Sequence, residues 1–193
     1  MLLGVVPTAG TVRRGAGALS DRVFWFFTAV VAVQGGHMFE HVVQVLQVYA
    51  FGVPDDRALG LLGYFLQFNG TEEWLHLGFN VVYLTSLYCL VVPLRRLTPG
   101  VIPPWAFAVF LFGSVWLETW HVVEHGVIIS HVLANHGCPC PGIADTALGL
   151  SDTIVHFFYN LISYGGVVIA YLFVLRQRRR TAGPVLTGLR SHH

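Results

Sequence analysis

The feature that most constrains this chain is a set of four long apolar stretches, at about 22–50, 73–92, 104–133 and 152–175. Each matches or exceeds the ~20 residues that carry an α-helix across a hydrocarbon core of ~30 Å. A soluble bundle needs a polar face on every helix, and runs such as VFWFFTAVVAV and WAFAVFLFGSVW have none. Charged residues make up 11% of the chain, against about 25% in an ordinary soluble domain. The expected fold class is an all-α membrane protein, with four transmembrane helices packed as a bundle.

The basic residues set an expected orientation. All 11 are arginine, and all but Arg57 flank three stretches: Arg13, Arg14 and Arg22; Arg95 and Arg96; and the five from Arg176 onward. Four crossings put these stretches on one side, which the positive-inside rule makes cytoplasmic. The other two loops carry Asp55, Asp56, Glu72, Glu73, Asp145 and Asp152, so the outer face is expected to be acidic. The amino terminus has its arginines after a short apolar run, the reverse of a secretory signal, and reads as a cytoplasmic tail. The expected location is the plasma membrane with both termini inside.

Within the apolar stretches a polar pattern recurs. His-x-x-Glu-His appears as His37, Glu40, His41 and again 84 residues later as His121, Glu124, His125. EEWLHLGFN, ending at Asn80, matches DTIVHFFYN, ending at Asn160, at an offset of 80. The chain thus reads as two tandem helical hairpins related by a pseudo-twofold axis along the membrane normal. The divisions are a tail (1–21), a first hairpin repeat (22–100), a second (101–177) and an Arg-rich tail (178–193). The segment DDRALGLLGYFLQF in the first outer loop has the composition of a short interfacial helix.

Residues at i, i+3 and i+4 share one helix face, so each His-x-x-Glu-His presents its three groups together. His76 and His156 add one imidazole from each second helix, with Asn80 and Asn160 a turn deeper. Inside a four-helix bundle this gathers six imidazoles, two carboxylates and two amides, the way bundles build metal sites. Imidazole with carboxylate suits zinc, iron, copper or manganese. The expected ligands are His37, Glu40, His41, His76, His121, Glu124, His125 and His156, with Glu40 and Glu124 bridging two ions or acting as the base. Glu118, which aligns with Gln34, is expected to support a ligand or carry a proton, alongside Asn80 and Asn160. Interhelical hydrogen-bond glue is the plainer use of an intramembrane histidine, but a buried glutamate is costlier and usually marks function.

His-x-x-Glu-His resembles the inverzincin signature, in which both histidines bind zinc and the glutamate is the base. The resemblance covers five residues per copy and does not extend to the fold. Histidine-rich membrane desaturases and hydroxylases are a looser likeness, with different histidine spacing. Cys138-Pro-Cys140 resembles the soft-metal motif of copper-transporting ATPases. It reads either as a place where a metal-delivery partner docks or as a loop with external thiols.

The leading expectation is a membrane metalloenzyme with a dinuclear site near the outer leaflet, acting on a lipophilic small molecule. Iron or copper would make it an oxidoreductase, and zinc a hydrolase. The alternatives are a haem-binding electron-transfer protein and a metal transporter or sensor. Membrane lipid is the other expected partner. No phosphate loop, nucleophile elbow or nucleic-acid-binding pattern is present.

Overall fold

A computed structural model describes residues 19–66, 72–134 and 142–182. Among the described residues the secondary structure is helical throughout, without strands. The long elements are α1 (Asp21–Tyr49), α3 (Glu72–Arg96), a continuous rod of α4 (Pro104–Val109), a π-helical stretch (Phe110–Trp116) and α5 (Leu117–Ala134), and α7 (Asp152–Thr181). Two short helices, α2 (Gly60–Leu66) and α6 (Ile143–Leu148), lie in the connections from α1 to α3 and from α5 to α7.

Local chemistry sets the ends. Ser20 and Ser151 cap α1 and α7, their hydroxyls accepting the N–H groups of Val23 and Ile154, each at 3.4 Å, with Asp21 and Asp152 in the first turns. Pro104 opens α4, where a missing N–H costs nothing. Gly149 ends α6 in the left-handed conformation, at φ 64°. Three of the described helices are long and apolar enough to cross a membrane: Trp74–Arg96, Pro104–Ala134 and Asp152–Thr181. The fourth long helix, α1, has 29 residues and carries Gln34, His37, Glu40 and His41 in its second half.

The rod packs along α7, chiefly through its π-helical stretch. α1 packs most extensively on α7, and α3 on α5. At one end of the α1–α7 pair, the Arg178 guanidinium reaches Asp21 at 2.7 Å and lies 4.1 Å above the Phe24 ring. A tight apolar core fills this half of the bundle, with Phe27, Leu87, Leu90, Leu94, Ile102 and Phe110 fully buried. Trp25, Val82, Phe112 and Trp116 face outward on the same rods, as lipid-facing side chains do. The other half of the bundle is built from histidine.

The π-helical stretch was not legible in the sequence. It lies where α7 comes closest: Ser114 donates to the Ser163 carbonyl at 2.6 Å. A Cβ on Gly166 would run into the Ser114 hydroxyl and stand 3.0 Å from the Val109 carbonyl. The wider turn gives up regular hydrogen bonding one turn before Glu118 and His121, a placement π turns often take next to functional groups.

Candidate metal centre

Helical spacing builds the site in pairs. His37 and His41 stand one turn apart on α1, as do His121 and His125 on α5, and within each pair the Nε2 atoms meet, at 3.2 and 3.1 Å. From α7, His156 brings its Nε2 to 3.2 Å from that of His125. The nitrogens of His121, His125 and His156 all lie within 4.8 Å of one another, and all three side chains are buried. His76 joins the two groups, its ring centroid 6.0 Å from His41 and 5.7 Å from His125. The six histidines form one cluster spanning four helices.

The outward nitrogens decide what the inward ones can do. His156 Nδ1 faces two acceptors, the Asp152 carbonyl at 2.9 Å and the Asp152 carboxylate at 3.0 Å. It therefore carries a hydrogen directed at Asp152. His121 Nδ1 lies 3.6 Å from the Glu118 carboxyl, beyond hydrogen-bond distance. His125 Nε2 then has two nitrogen neighbours and at most one proton to offer. Facing nitrogens this close share hydrogens or a cation between them, and a metal ion can take that place. Separations of 3.1 and 3.2 Å are those subtended at roughly 95–100° by two metal–nitrogen bonds of ~2.1 Å. The donor set and these two separations fit a metal ion.

The expected glutamates each also bind a loop helix. Glu40 accepts the backbone N–H groups of Leu61 at 2.6 Å and Leu62 at 3.0 Å. Glu124 accepts that of Ala144 at 2.7 Å. Each carboxylate thus holds the first turn of a loop helix, where unpaired N–H groups favour negative charge. Two glycines permit the approach. Gly60, at φ 68°, lies against the Glu40 carboxylate, and a Cβ on Gly142 would stand 2.6 Å from Glu124 Oε1. α6 and its link to Glu124 were missed in the sequence. The legible signal was a glycine just before the tethered N–H groups, Gly60 before Leu61 and Leu62 and Gly142 two before Ala144.

The remaining expected residues lie beneath the histidines. Asn160 accepts from Gln34 at 2.9 Å and donates to the His156 carbonyl at 3.0 Å, stitching α1 to α7. Asn80 is buried on α3. Glu118 is buried beside Ser163 and His121. Asp152 is the site residue that sequence reasoning left in the outer loop, although its spacing four before His156 placed it on the same face. Asp145, on α6, shares a hydrogen bond with Asp152, and burial together with the Asp152 charge pushes its carboxyl up to about 6. His131 is exposed at the end of α5. Cys138 and Cys140, with 1–18 and 183–193 of the two tails, lie outside the described residues.

No protein-family model, curated protein or solved structure matches this chain. The reading of the site therefore rests on its own chemistry.

Proposed function

We propose that this chain is an integral membrane metalloprotein, and that its histidine cluster holds two transition-metal ions as a catalytic centre for a lipophilic substrate. The observation that carries this reading is the convergence of the His121, His125 and His156 nitrogens, with the opposite nitrogen of His156 held by Asp152. Carboxylate-backed imidazole is a recurring support for metal-binding histidine. His37, His41 and His76 form the second ligand set. With iron or copper, the centre would supply O₂-dependent oxidation; with zinc, hydrolysis. The chain's own part is to fix the imidazoles, hold protons on their outer nitrogens and exclude water.

In this reading α1 is a fourth crossing, and the two hairpins are copies of one unit. The matching roles of Glu40 and Glu124 support the duplication. Glu40 and Glu124 act on the centre through the loop helices, closing the side that the arginine distribution places outside the plasma membrane. Nitrogens 3.1 to 3.2 Å apart meet at a point, not across the two faces of a macrocycle, which favours ions over haem.

X-ray absorption at the edge of the bound metal tests the proposal. Nitrogen or oxygen scatterers near ~2.0–2.1 Å with imidazole outer shells are expected, and sulfur at ~2.3 Å would contradict it.

A further inference from the structure

A cavity of about 430 Å³ lies against one half of the histidine cluster, between α1, α2 and α3. Its size is in the roughly 300–1,000 Å³ range of small-molecule sites. Leu59 and Phe79 line it, and Val33, Leu62 and Leu75 form part of its wall while remaining exposed to the surroundings of the bundle. Its polar end consists of His37, His76 and Gln44, with Glu40 already committed to the loop helix. The His37 ring stacks on Phe79 with centroids 4.0 Å apart, so the apolar wall runs directly up to an imidazole.

The two histidine sets differ here for a reason written in the sequence. The residue before His37 is Gly36, and the residue before His121 is Trp120. A Cβ on Gly36 would meet nothing within 4 Å. Trp120 instead donates to the Tyr159 hydroxyl at 2.9 Å, and the Tyr159 ring packs 5.0 Å from His121. One glycine leaves space beside His37; one tryptophan, with its tyrosine, covers the same flank of His121.

We infer that this cavity is the substrate chamber of the proposed centre, taking one apolar molecule with a single hydroxyl or carbonyl end at His37 and His76, and that the His121–His125–His156 set is the closed, resident half. This rests on the metal reading above. An apolar molecule reaches the chamber from lipid past Val33, Leu62 and Leu75. Its one polar end finds partners only at the histidine face, which fixes its orientation.

The test uses radiolabelled 4-octylphenol and the full chain in lipid nanodiscs, with metal content measured on the same samples. Wild type is expected to bind about one equivalent saturably. Gly36→Trp should weaken binding at least tenfold, and Gly36→Leu by less, with metal content unchanged in both. Gly78→Trp, on α3 where a side chain also meets open space, should bind as wild type does. Equal binding by Gly36→Trp, or no saturable binding by wild type, would overturn the inference. Wild type free of metal but with Gly36-sensitive binding would count against the metal reading and in favour of the chamber.

Discussion

Glu124 accepts the backbone N–H of Ala144 at 2.7 Å, and so ties the first turn of α6 to the middle of the histidine pair on α5. Glu40 does the same for Leu61 and Leu62. Hydrogen bonds to a charged acceptor contribute about 1.5–3 kcal/mol. Glu40→Ala should therefore speed amide exchange at Leu61 and Leu62 by roughly tenfold or more, since about 1.4 kcal/mol corresponds to tenfold in an opening equilibrium. Glu124→Ala should do so at Ala144. Metal content should be retained in both variants. Loss of metal with unchanged exchange would instead make these carboxylates ligands.

Asp152 and Glu118 sit behind two ligands, and their removal should be felt through them. Asp152→Asn and Glu118→Gln are expected to lower metal affinity about 10–100-fold, measured by competition with a chelator of known affinity. The helical content by circular dichroism should stay at the wild-type level. Affinity unchanged in both variants would show that the outer nitrogens need no carboxylate.

Gly166 is a packing glycine. A Cβ there meets the Ser114 hydroxyl and the Val109 carbonyl, on the π-helical stretch and the turn before it, so Gly166→Ala should destabilise the protein by about 1–3 kcal/mol. Gly78→Ala, where a Cβ meets open space, should be neutral or slightly stabilising through helix propensity. Thermal unfolding in detergent compares the two. A similar midpoint for both would mean that α7 and the rod separate easily.

Much of this arrangement was legible because it follows from helical periodicity. Apolar length located the long helices to within a few residues at most ends, and i, i+4 spacing put His37 with His41 and His121 with His125. Depth matching brought His76 and His156 to the same layer. What spacing cannot reveal is which way a long side chain turns once two partners compete for it. Glu40 and Glu124 share a face with the histidines, and each also accepts backbone N–H groups of a loop helix. The π-helical stretch was hidden for a related reason: it depends on the close approach of Gly166 on α7, a contact between residues far apart in sequence. Gly36 against Trp120 was visible, but only the shape of the cavity gave the difference meaning.

The central claim is that the histidine cluster holds metal, and elemental analysis of the purified full chain tests it most directly. One to two equivalents of iron, copper, zinc or manganese per chain are expected in the wild type. His125→Ala should lose at least one equivalent, because it removes the nitrogen that both His121 and His156 approach. Wild-type protein with substoichiometric amounts of all four metals, before and after incubation with each, would contradict the account.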